Sequence, residues 1–226
     1  GEESNIVRLL DKTGNVVFLP FDLTVPFARI CARSGHMRLK RFDIADVYRE
    51  NLLAGGQPRA VLAASYDIIS QEPDPSAEAE VLALMYELLQ MPGLAGEAWN
   101  VELSHESILR VFLQRFPAQF HSALLEALPQ YLARGSDARV RHLLGSAGMP
   151  VSLLDEVDAW NIYEDFDTAV HTLAELLTPE ERTKLAEPLA HLVSVVRLAR
   201  EFSVQSKIYL VPLFSHSHTH YRNGTM

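Results

Sequence analysis

Between Lys40 and Arg49 the side chains alternate in kind: Phe42, Ile44, Asp46 and Tyr48 fall on one side of an extended backbone, and Asp43, Ala45, Val47 and Arg49 on the other. A second run of strand character, Val61 to Ile69, follows a segment holding Gly55, Gly56 and Pro58. This spacing predicts a strand-loop-strand ribbon, so a purely helical fold is excluded. Upstream, Val16 to Leu19 reads as a short strand after the turn-like Asp11 to Asn15, with Pro20 ending it. Leu23, Phe27, Ile30 and Cys31 recur at three- and four-residue intervals and predict a helix to Arg33, with Pro26 in its first turn and Gly35 as its stop.

Downstream, Ser76 caps an expected helix from Ala77 to about Gln90, a strand-like Trp99 to Leu103 leads into a helix from about His105 to Phe116, and the period then changes. Pro117 to Glu201 carries helical spacing almost throughout, with breaks at Gly135, at Gly148 and Pro150, around Asn161, and at Thr178. Thr178, Pro179 and Glu181 together spell a capping box with proline at the first helical position. Val170, Leu173 and Leu177 are an apolar stripe suited to helix packing. A β-like run, Ile208 to Phe214, closes the pattern. The expected fold is therefore α/β (α+β): a discontinuous core of residues 1–116 and 205–226, interrupted by a helical insertion, 117–204.

The 226 residues are 48% hydrophobic with mean hydropathy +0.02, enough for a sizeable core and without an apolar run that could span a bilayer. The first thirty residues carry no secretory pattern, and the single cysteine, Cys31, has no disulfide partner. A cytoplasmic location is expected. The formal charge of −9 is unevenly spread. Residues 1–59 hold nine Lys/Arg against seven Asp/Glu, so an anionic ligand would favour the N-terminal quarter. There Arg49, beside Tyr48 at the end of the first ribbon strand, offers a planar fork of donors suited to phosphate; pairing with a carboxylate such as Glu50 is the structural alternative. Asp22 and Thr24 in FDLT could receive an ammonium group, or could cap the helix they precede.

The strings LPFDLTVPFAR (Leu19 to Arg29), LKRFDIADVYREN (Leu39 to Asn51) and SYDIIS (Ser65 to Ser70) resemble the catalytic core of eukaryotic histidyl-tRNA synthetase, over about residues 1–110 and 205–226. The resemblance implies a class II aminoacyl-tRNA synthetase fold, an antiparallel sheet flanked by helices. It also implies that Asp22 and Thr24 match the element holding the amino group of histidine, and that Arg49 matches the second-motif arginine on the α-phosphate of ATP. In that family the ribbon loop approaches the tRNA acceptor end, which makes Tyr48, Arg49 and Arg59 candidate tRNA contacts. By the same comparison the chain begins after the first class motif and stops before the third.

Several positions depart from the family. Asn51 stands where an acidic residue reads adenine, Val61 where an aromatic stacks on it, and Ala63 where a glutamine touches histidine, while Asp67 keeps its acidic character. SHTHYR, Ser217 to Arg222, aligns with the family's RGLDYY, so Ser217 replaces the activating arginine and His220 an aspartate. The expected consequence is a pseudo-synthetase with no catalytic residue, no cofactor and a vestigial pocket of Asp22, Thr24, Arg49 and Asp67. Such a pattern is similar to the synthetase-like regulatory domain of the general control kinases, fungal ones especially, which act on the α subunit of translation initiation factor two in amino-acid starvation. The resemblance implies uncharged tRNA and an adjacent kinase domain as partners, a homodimer, and no membrane. The alternatives are an active histidyl-tRNA synthetase core and the synthetase-like regulatory subunit of ATP phosphoribosyltransferase.

His216, His218 and His220 alternate and would share a face, but without a cysteine nearby they read as a polar segment replacing the synthetase element rather than as a metal site. Arg134, Arg139 and Arg141 read as a solvated basic helix face.

Overall fold

The computed structural model describes residues 6–35, 38–49, 58–93, 99–132, 137–205, 207–214 and 224–225. The chain divides at Asp74 into two compact units.

The first unit, Gly1–Asp74, opens on a hairpin of β1 (Arg8–Leu10) and β2 (Val16–Phe18). Asp11 builds its turn by accepting from the backbone N–H of Thr13 (2.8 Å) and of Asn15 (2.9 Å). The Thr13 hydroxyl donates to it as well (2.7 Å), and that bond first, then those from Asn15, hold the Asp11 carboxyl far below the usual carboxylate range. Gly14 takes the left-handed conformation the turn needs (φ 84°). Helix α1 (Thr24–Ser34) buries Phe27 and Cys31, and Gly35 ends it at φ 66° with its N–H on the Cys31 carbonyl, as expected from the sequence.

The ribbon is longer than its pattern implied: β3 (Leu39–Arg49) pairs antiparallel with β4 (Arg59–Ile69), from Leu39 opposite Ile69 to Arg49 opposite Arg59. This register puts Arg41, Asp43, Ala45, Val47 and Arg49 on one face with Arg59, Val61, Ala63, Ser65 and Asp67. Val47 is fully buried on that face, whereas Phe42 and Ile44 on the other are exposed.

The second unit, Pro75–Met226, contains the helices α2 (Pro75–Leu89), α3 (Glu106–Gln114), α4 (His121–Leu132), α5 (Asp137–Ser146), α6 (Val151–Ala159), α7 (Phe166–Leu176) and α8 (Pro179–Glu201). A small sheet of β5 (Asn100–Leu103), β6 (Glu164–Asp165) and β7 (Lys207–Leu210) has the order β5-β7-β6, with β5 and β7 parallel. β7 is shorter than Ile208 to Phe214. Val211 still donates its N–H to the Leu103 carbonyl, but the chain then turns, and Val211 and Leu213 are buried without a ladder. The core gathers Phe112, Trp160, Phe166, Leu173, Leu192 and Leu210; Phe112 lies 5.3 Å from Trp160, centroid to centroid.

Helix α8 starts as its sequence dictates. The Thr178 hydroxyl accepts from Glu181 N–H (3.3 Å) and the Glu181 carboxylate accepts from Thr178 N–H (2.8 Å), with Pro179 at the first helical position. Thr178→Ala removes one arm of this box and should lower stability by about 1 kcal/mol, or about 3 °C in the thermal midpoint. Thr178→Ser, which keeps the acceptor, should restore most of that loss in the same melting experiment.

Candidate functional site

The ribbon face of the first unit has charge at both ends and aliphatic side chains between them. At one end the Arg41 guanidinium is held from every side. It donates to Asp67 through Nε (3.0 Å), to Asp43 through Nη1 (3.0 Å) and to the Leu23 carbonyl through Nη2 (2.9 Å), and it stacks 3.8 Å from the centroid of the Phe27 ring. Ser65 completes the group by donating its hydroxyl to Asp67 (2.9 Å). Asp67 Oδ2 therefore accepts from both Arg41 Nε and the Ser65 hydroxyl and lies 2.9 Å from Arg41 Nη2, while Oδ1 has no partner among the described residues.

The Leu23 carbonyl brings the FDLT element to this end of the ribbon. Asp22 accepts from Val25 N–H (3.0 Å), so one of its oxygens caps the first turn of α1; Thr24 begins that helix and is half-buried. Three carboxylates, Asp22, Asp43 and Asp67, thus belong to one locality with a single guanidinium. The excess negative charge suits a cationic group such as an ammonium.

Eight residues along β3, about 26 Å of strand, the sign reverses. Arg49 and Arg59 lie directly opposite each other, both exposed, and neither pairs with a carboxylate among the described residues. The Arg49 guanidinium lies 5.2 Å from the Phe21 ring centroid, and its backbone bridges to Ile6. Like charges directly opposed on a ribbon repel, so an anion between them relieves strain as well as gaining contacts. Tyr48 is on the opposite face, half-buried, with its N–H on the Pro20 carbonyl (2.8 Å). Between the charged ends run Ala45, Val47, Val61 and Ala63, paired two by two. Nothing in that strip is flat enough to stack on a base.

The sequence candidates therefore separate into an acidic end with Asp22, Thr24 and Asp67 and a basic end with Arg49 and Arg59. Arg41 is the site residue that reading the sequence missed. Its signal was present, because it shares the face of Asp43 in β3, but its link to Asp67 is visible only once the register is fixed. Asn51, Glu50, Ser217, His220, His216, His218 and Arg134 lie outside the described residues. Arg141 does not form a free basic face: it pairs with Asp155 (2.9 Å) and Asp158. Among the described residues no three His, Cys, Asp or Glu side chains gather to hold a metal ion, and no helix is long and apolar enough to cross a membrane.

A family model described as histidyl-tRNA synthetase matches residues 1–226. The chain belongs to the histidyl-tRNA synthetase family. Within it, this family member is 27% identical to the eIF-2-alpha kinase GCN2 of Schizosaccharomyces pombe, over 97% of this chain and 14% of the kinase, and 27% identical to the mouse kinase of the same name, over 92% of this chain and 13% of that protein. It is 34% identical over half its length to a probable cytoplasmic histidine–tRNA ligase of Encephalitozoon cuniculi, of which it covers 26%. The chain thus spans a small part of these relatives. Among solved structures, histidyl-tRNA synthetase from Nostoc matches with a TM-score of 0.78 at 18% identity, over 97% of this chain and 51% of that one. A Bacillus halodurans protein described as an ATP phosphoribosyltransferase regulatory subunit/histidyl-tRNA synthetase matches with 0.76 at 20% identity, over 98% and 56%. The fold is that of the class II synthetases.

Proposed function

We propose that this chain is a non-catalytic synthetase-like sensor: it binds uncharged tRNA and regulates an attached serine/threonine kinase that acts on translation initiation factor two α during amino-acid starvation, in the cytoplasm and as a homodimer. The observation that carries this reading is the aliphatic strip between the two charged ends of the ribbon face. An amino-acid-activating site needs a platform for adenine between the amino-group element and the phosphate-binding arginine, and Val61 and Ala63 supply none. The replacement of the activating arginine by Ser217 adds to this, because a carboxylate attacking ATP builds negative charge that a fixed cation must meet. Losing one such donor costs about 3 kcal/mol, and here the stacking contact goes with it.

Recognition does not need that machinery. Arg49 and Arg59 retain exposed positive charge suited to the phosphates of an RNA end. The likeness to the Schizosaccharomyces pombe and mouse eIF-2-alpha kinases extends over nearly the whole chain, in contrast to the half-length match with the tRNA ligase, and supports the kinase-linked reading over an active synthetase.

Pyrophosphate exchange with histidine and ATP, run beside binding of deacylated tRNA, tests the proposal. Exchange at background level with saturable tRNA binding is expected. Histidine-dependent exchange well above background would instead establish a working synthetase, in which Asp22, Thr24, Arg49 and Asp67 keep their family roles.

A further inference from the structure

In the second unit, polar groups collect around His105. This residue caps α3: its Nδ1 accepts the Ser107 N–H at 3.1 Å. That bond fixes the tautomer, because a nitrogen that accepts cannot also carry a proton, so the ring proton sits on Nε2. His105 also bridges antiparallel to Thr225, and the neighbouring Glu106 N–H bonds to the Gly224 carbonyl (3.1 Å). The ring therefore caps the first turn of a buried helix, while the backbone of that same turn holds a second segment.

The charged surroundings come from three helices. His191 of α8 lies 6.4 Å away edge-on and bonds through Nε2 to Glu78 of α2 (2.9 Å); α3 itself contributes Glu106 and Arg110. Among the described residues Glu78 Oε2, Ser104 Oγ and Thr225 Oγ1 are buried without a hydrogen-bond partner, so this locality has little spare capacity to take up charge.

We propose that His105 is a proton-operated latch, whose protonation releases the first turn of α3 together with the Gly224–Thr225 bridge. A proton added to Nδ1 places two N–H donors head to head and abolishes the cap. The imidazolium would also stand at a helix N-terminus, where the backbone dipole opposes positive charge. Burial, followed by His191, holds the His105 pKa below the ordinary 6.5, against the opposing pull of Glu78 and Glu106. A lowered folded value means that the cap contributes its full stability above the unfolded pKa and loses it as the pH falls through the folded one. The latch is thus closed at neutral pH and opens on acidification.

Hydrogen exchange of the Glu106 and Ser107 amides, corrected for intrinsic rates, reads the latch in the full chain at pH 7.5 and 5.5. Protection should fall about tenfold on acidification, the size of a lost cap compounded by a misplaced charge. His105→Asn caps through a carboxamide oxygen that does not titrate, so its protection should stay level across this range, while His105→Ala should be poorly protected at both values. Val195 and Val196 in buried α8 should keep their protection throughout. A flat wild-type profile, an equal fall in His105→Asn, or a parallel loss at Val195 and Val196 would each overturn the proposal.

Discussion

Alanine at both Arg49 and Arg59 is expected to weaken binding of deacylated tRNA by about a hundredfold near physiological salt, and each single substitution by about tenfold. The physical reason is their geometry. The two arginines are directly opposite in the ribbon register, both exposed and without carboxylate partners among the described residues, so their charge is available to an RNA phosphate. Each lost phosphate contact should lower the slope of log affinity against log salt by about 0.7, the value for single-stranded ends. Arg49→Lys should fall between wild type and alanine, since it keeps the charge and loses the bidentate fork. Fluorescence anisotropy over a salt series measures all of this. Thermal stability of the double variant should be unchanged or slightly raised, because a repulsive pair has been removed. Affinity lost at unchanged salt slope would mean that Arg49 acts through its packing on Phe21 instead.

The second large effect concerns stability. Arg115, at the C-terminal end of α3, donates through Nε to Glu181 (2.8 Å) and through Nη2 to the Leu176 carbonyl (2.8 Å), pairs with Glu156, and lies 4.8 Å from the Trp160 ring centroid. It thereby joins α3 to α6, to the end of α7 and to the capping box of α8. Arg115→Met leaves two part-buried carboxylates without their cation and should cost about 2 kcal/mol, with the thermal midpoint down by about 6 °C. The pH dependence gives a second reading. Hydrogen bonding from Arg115, helped by the Thr178 cap, lowers the Glu181 pKa from 4.5 to about 2. A depressed folded value contributes stability above the unfolded pKa, and that stability drains away as the pH falls from about 4.5 towards 2. In Arg115→Met the Glu181 carboxyl returns towards its ordinary range, so denaturant melts between pH 5 and 3 should show a shallower acid loss than wild type, not only a lower baseline.

Much of the fold is written in local patterns. The alternation around Phe42 to Arg49 marks the ribbon, the three- and four-residue spacing from Leu23 to Cys31 marks α1, and Thr178, Pro179 and Glu181 mark the start of α8 to the residue. Elements too short for a pattern escape such reading: β1 has three residues and β6 two, and both exist because a partner strand is present. The same distinction holds at the sites. Asp22, Thr24, Arg49 and Asp67 were legible through their strings, whereas Arg41 and His105 were not, because what distinguishes them is the set of groups they touch.

The sequence by itself determined the ribbon, the approximate positions of the first helices, the start of α8 and the family, because periodicity, capping chemistry and motif spacing act between near neighbours. Only the tertiary structure decided that Arg41 occupies Asp67, that Arg49 faces Arg59, that Arg115 joins Glu156 to Glu181 and that His105 meets both His191 and Thr225. Those pairings depend on strand register and helix packing, and slipping the register by one residue would turn every side chain of β3 to the other face.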